Sequence, residues 1–177
     1  NAGWADYYGN EDFFKAYPND DRKEWNYMTE WKIKSGEIIP YTESADKLPA
    51  ISKYYDYDEG APGKSAQSNG ITCIYRYAEV LLMYAEASTR ATNSVNQDAL
   101  NAIQEVQKRA GYQDRQIELT TTTEPTAFLA AVSNERGWEF FAEMKRWFEL
   151  VRLEKVKEVR AEEWDASTFN TNHHYYF

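Results

Sequence analysis

Residues 75–87 read Tyr75-Arg76-Tyr77-Ala78-Glu79-Val80-Leu81-Leu82-Met83-Tyr84-Ala85-Glu86-Ala87. With Ile74, the residues Ala78, Leu81, Leu82 and Ala85 recur at the 3.6-residue period of one helix face, which predicts a helix over about 75–91. Ala78, Ala85 and Ala87 are small enough to let a second helix come close. Thr92-Asn93 breaks the pattern, and Ser94 with Gln97 fits a capping box. The next stripe is Ala99, Ile103, Val106 and Ala110, followed by Gly111 as a left-handed cap. Such a pair resembles a tetratricopeptide-type unit and leaves a face for neighbours to cover.

Further along, Pro125 suits a first helical turn, and Phe128, Leu129, Val132, Phe140 and Phe141 supply that helix's apolar side. A fourth segment, 144–159, carries Trp147, Phe148, Leu150, Val151 and Val156. Upstream the chain is irregular. Glu11–Tyr17 reads as a short helical turn stopped by Pro18-Asn19-Asp20-Asp21, and Tyr27–Ile39 as a loose hairpin about Ser35-Gly36. The expected fold is therefore mainly α, with tetratricopeptide-like helical pairs, an irregular loop-rich region and little β. Residues 1–70 form the irregular part, 71–160 the helical part and 161–177 a C-terminal segment.

Composition narrows the function. Of 177 residues, 20 are Lys or Arg and 29 Asp or Glu, a net charge of −9, which argues against nucleic acid or an anionic membrane surface as partner. No apolar run reaches the roughly 20 residues a spanning helix needs. A single cysteine, Cys73, excludes an internal disulfide. It precedes an apolar helix, so a buried, packing thiol is expected. Without an initiator methionine or signal peptide, and ending at His173-His174-Tyr175-Tyr176-Phe177, the chain reads as a piece of a longer one.

Tyr, Phe and Trp make up 16% of the chain. Those before residue 60 sit among charges and turn residues, a setting that suits sugar contacts as well as packing. Trp4, Tyr7 and Tyr8, beside Asp6 and Asn10, place stacking rings next to hydrogen-bonding groups, so these five are the candidate ligand residues. Trp25, Tyr27 and Trp31 alternate with charges and read as hairpin packing. Glu135, Glu139 and Glu143 are spaced four apart, with Arg136, Arg146 and Arg152 nearby. A carboxylate pair could serve glycoside hydrolysis, but interleaved arginines more often form a structural ion-pair network, expected here to include Arg76 and Glu86. No phosphate loop, zinc motif or serine elbow occurs, and neither Asp56–Gly60 nor His173-His174 completes a metal site. No catalytic residue, metal or cofactor is expected.

Several blocks then carry a resemblance. Residues 75–87 resemble the "RYAEvLLmyAEA" helix of the SusD/RagB family of outer-membrane nutrient-binding lipoproteins. Val106–Gly111 resembles its "vR-x-RAG", Glu135–Phe140 its "ER-x-x-EL" and Arg146–Arg152 its "RwfDLvR". Asn19–Arg22 resembles its "DpR", and His174–Phe177 the start of "hyyfPIP". Met144 stands where the family usually has Gly, Glu149 where it has Asp, and Gln107 where it has Arg. The resemblance implies a lipid-anchored surface protein of the outer membrane. Its partner would be a SusC-like TonB-dependent transporter, and it would capture an oligosaccharide or other nutrient without catalysis. The lipidated cysteine would precede this stretch, so Cys73 is not it. A helical scaffold that binds protein or peptide is the competing reading.

Overall fold

Asn10 starts the first helix, α1 (Glu11–Ala16), by accepting a 2.9 Å hydrogen bond from the Phe13 amide on its side chain. This is a computed structural model, and it describes residues 8–55, 71 and 73–159. α1 ends just before Pro18, as the run Pro18–Asp21 suggested, and Asp20 then starts a second helix. Its carboxylate accepts the Arg22 and Lys23 amides and so caps α2 (Asp21–Asn26). The hairpin is tighter than expected. β2 (Glu30–Lys32) pairs antiparallel with β3 (Ile38–Pro40) around Gly36, whose φ is +92°. Tyr27 belongs to a separate ribbon, β1 (Tyr27–Met28) against β4 (Ala50–Ile51). Its buried ring packs edge-on against Phe14 and Tyr17.

The first long helix, α3 (Tyr77–Thr92), begins two residues later than its periodicity suggests, because Arg76 is extended. Ile74 therefore lies off the helix and exposed. Cys73 is exposed too, which corrects the expectation of a buried thiol. A maleimide reagent should accordingly label Cys73 under native conditions as fast as it labels the unfolded chain. Protection would return the thiol to the core.

Asn93 ends α3 in the left-handed region. The cap of α4 (Gln97–Arg109) is Asn96, whose side chain accepts the Ala99 amide at 2.8 Å, rather than Ser94, which lies too far upstream. At its other end Tyr112 N–H bonds the Gln107 carbonyl and Gly111 N–H that of Lys108, with Gly111 at φ +82°. That pair of bonds is a Schellman motif. A Cβ at 111 would suffer the left-handed penalty and meet the Asp21 carboxylate. Gly111→Ala should cost about 1–2 kcal/mol in a denaturant titration; an unchanged midpoint would contradict this cap.

Pro125 opens α5 (Pro125–Glu139), and the Glu124 carboxylate accepts the Thr126 and Ala127 amides. α3 packs on α4 and α5, and Leu82, Ala85, Ile103, Val106, Phe128 and Val132 fill the space between them. Contacts group the chain into two compact units, Asn1–Glu139 and Phe140–Phe177. In the second, the expected 144–159 segment is two short helices, α6 (Arg146–Arg152) and α7 (Val156–Val159). A turn with Glu154 at φ +56° separates them. Met144 sits at φ +59°, which is the physical reason a glycine would suit that position. The architecture is mainly helical, with four short strands among the described residues.

Candidate functional site

Glu135 and Glu139 stand one turn apart on α5, with side chains 0% and 1% exposed. Carboxylates that deep require compensation. Arg22, on α2, serves both of them. Its Nη1 donates to Glu135 Oε1 at 2.7 Å and Glu139 Oε2 at 2.8 Å, while its Nε and Nη2 donate to Asp20. The guanidinium also lies over the Tyr112 ring. Glu135 Oε2 accepts from Tyr112 Oη at 3.0 Å and Gln107 Nε2 at 3.3 Å. Glu139 Oε1 accepts from Arg76 Nη1 at 2.6 Å and from Arg109 Nη2. Three guanidinium groups thus face three carboxylates.

The electrostatics differ at the two ends. Burial pushes the Glu135 carboxyl up, with Arg22, Gln107 and Tyr112 opposing. Burial pushes on Glu139 as well, but Arg109, Arg76 and Arg22 overcome it and hold the group below the ordinary carboxylate range. Both carboxylates are buried and engaged by protein donors, so this geometry holds segments together. It does not present an acid–base pair to a substrate.

The expected network residues are only partly gathered here. Arg76, Glu135 and Glu139 meet. Glu143 lies beyond the end of α5. Arg136 instead faces Glu79 of α3 at 3.7 Å, and Glu86 pairs with Arg90 along its own helix. In the second unit Arg146 pairs with Glu149, and Arg152 is exposed. Asp20, Arg22, Gln107, Arg109 and Tyr112 were not foreseen as members.

Of the candidate ligand residues, Trp4, Asp6 and Tyr7 lie outside the described residues. Tyr8 donates its hydroxyl to Asp46 at 2.8 Å, and Asn10 caps α1. Trp31 is half-buried on β2. Trp25 is on α2 and largely exposed, which corrects its reading as hairpin packing.

Residues 1–176 match the family model described as the SusD family. The chain belongs to the SusD family. It is 29% identical over 160 residues to SusD-like protein P2 of Formosa agariphila, covering 82% of this chain and 31% of that protein. Among solved structures it is similar to a SusD superfamily protein from Parabacteroides distasonis, with TM-score 0.66 and 26% identity, covering 82% of this chain and 31% of that one. It is also similar to surface glycan-binding protein A from Bacteroides uniformis, with TM-score 0.60 and 26% identity, covering 94% and 34%. The chain spans about a third of the length of these relatives.

Family membership also makes sense of the buried cluster. The blocks that resemble the SusD family supply it: 19–22 give Asp20 and Arg22, 75–87 give Arg76, 106–111 give Gln107 and Arg109, and 135–140 give both carboxylates. That shared destination is the signal that could have named Arg22 and Arg109 in advance.

Proposed function

We propose that the protein is a non-catalytic, surface-exposed subunit of the bacterial outer membrane. It binds an oligosaccharide or other nutrient and passes it to a SusC-like TonB-dependent transporter. A lipid anchor upstream of this stretch would hold it to the membrane. Membership in the SusD family, together with likeness to a surface glycan-binding protein, is the observation that supports this reading. Trp4, Asp6, Tyr7, Tyr8 and Asn10 stay as proposed ligand contacts. The test is calorimetric titration of the protein with neutral oligosaccharides, with product analysis alongside, and affinity capture of the transporter from outer-membrane extracts. Binding without cleavage, together with transporter capture, is expected. Cleaved sugar would instead make the protein an enzyme.

One observation favours a second reading, a protein-binding scaffold. Tyr77, Val80 and Tyr84 lie exposed along one face of α3, with Met83 beside them. Transporter capture without sugar binding would favour it.

A further inference from the structure

α3 reverses the usual arrangement of a surface helix. Its two carboxylates, Glu79 and Glu86, are turned inward and buried, while Tyr77 is 67% exposed, Val80 52%, Tyr84 45% and Met83 45%. Ala87 and Ala91 are exposed as well. Tyr77, Val80, Tyr84, Ala87 and Ala91 follow one another at steps of three, four, three and four residues, the spacing of a seam between two helices. From residue 77 to 88 no exposed position on α3 is charged, in a chain that is 28% charged. The opposite face is already in use, with Leu82 and Ala85 in the core that α3 forms with α4 and α5. A helix apolar on two sides calls for a neighbour on each.

The size of the seam selects that neighbour. α3 has 16 residues, so one helix laid along its length of about 24 Å buries on the order of 500 Å² in total. A separate protein needs roughly 1,200 Å² or more for a stable interface. A helix of the same polypeptide needs far less, because its tether keeps it at an effective concentration of about millimolar. This chain covers 31% of SusD-like protein P2 and 31% of the Parabacteroides distasonis structure, so polypeptide outside residues 1–177 has room to supply one. We infer that the exposed seam of α3 seats an amphipathic helix from the protein's own polypeptide outside residues 1–177. That helix lies within about 20° of the α3 axis. Its apolar side rests on Val80 and Tyr84, and it comes closest over Ala87 and Ala91, where no large side chain holds it off. The inference does not depend on the sugar-binding reading. It assigns to the protein itself the face that the scaffold reading offers to a separate partner.

The experiment places one cysteine at a time on the seam of the full-length protein, Val80→Cys or Ala87→Cys, in a background whose other cysteines, Cys73 included, are serine. Both changes are small, and a circular dichroism spectrum like that of the wild type shows that each variant is folded. The maleimide labelling rate of each cysteine is compared with its own rate in denaturant. A seated helix should slow labelling about a hundredfold or more at both positions, the cost of opening a packed element, and equally at every protein concentration. Labelling at the unfolded rate at either position would overturn the inference. Protection that fades on dilution would also overturn it, because the seam would then belong to a second copy. Protection that appears only after outer-membrane extract is added would do the same, in favour of another protein.

Discussion

Arg22→Ala should lower stability by about 3–5 kcal/mol, the usual cost of removing one member of a buried charged set. Arg22 is only 10% exposed, and it alone bridges Asp20, Glu135 and Glu139. Its loss leaves Asp20 and Glu135 without an ion-pair partner among the described residues, while Glu139 keeps Arg76 and Arg109. For a chain of this length the melting temperature should fall by about 10 °C. Arg22→Lys keeps the charge but cannot reach three carboxylates with one ammonium, so it should recover only part of the loss. A melting temperature unchanged in Arg22→Ala would mean that the cluster contributes nothing net to folding.

Glu139→Gln should bring a loss of similar size near neutral pH, because Arg22, Arg76 and Arg109 then converge on a neutral amide. Its pH dependence separates it from a packing defect. Glu139 is held below the ordinary carboxylate range, so its contribution is complete above the unfolded value of about 4.3 and is lost as pH falls through the folded one. Removing the group should therefore flatten the loss of stability below about pH 4. Glu135 has the opposite sign. Burial raises it, so its contribution is complete below the unfolded value and is lost as pH rises through the folded one. Glu135→Gln should not flatten the acid limb. Parallel pH profiles in wild type and Glu139→Gln would exclude this titration.

The helices were legible where side chains repeat at helical period over many residues. Leu82 and Ala85, Ile103 and Val106, and Phe128 and Val132 lie in the core on the faces their spacing indicated. Boundaries depended on single hydrogen bonds that spacing does not encode. Arg76 is extended, so α3 starts late, and Asn96 outcompetes Ser94 as a cap. α2 escaped notice because six residues make less than two turns, and its cap, Asp20, lies in a run that also suits a turn. Glu135 and Glu139 could be read as partners in an ion-pair network. Arg22 lies 113 positions from Glu135, so no local spacing pairs them, and only their places in the family-like blocks 19–22 and 135–140 link them. Trp25 was misassigned for a related reason: charged Glu24 before it and polar Asn26 after it fit a strand's alternation and a short exposed helix equally well.

The cluster around Glu139 also sets an order of events in time. Arg109 is 30 residues from Glu139, Arg76 is 63 and Arg22 is 117. Closing the longest of these loops costs about 1 kcal/mol more chain entropy than closing the shortest. On this count the contact between α4 and α5 should form first, and docking of α2 through Arg22 should come last, after the rate-limiting barrier. A bond absent at the barrier does not alter how fast the chain folds. It governs how fast the chain comes apart. In a chevron plot, substitutions at Arg22 should raise the unfolding arm and leave the folding arm in place, so the lifetime of the folded state is governed by a side chain that takes no part in reaching it.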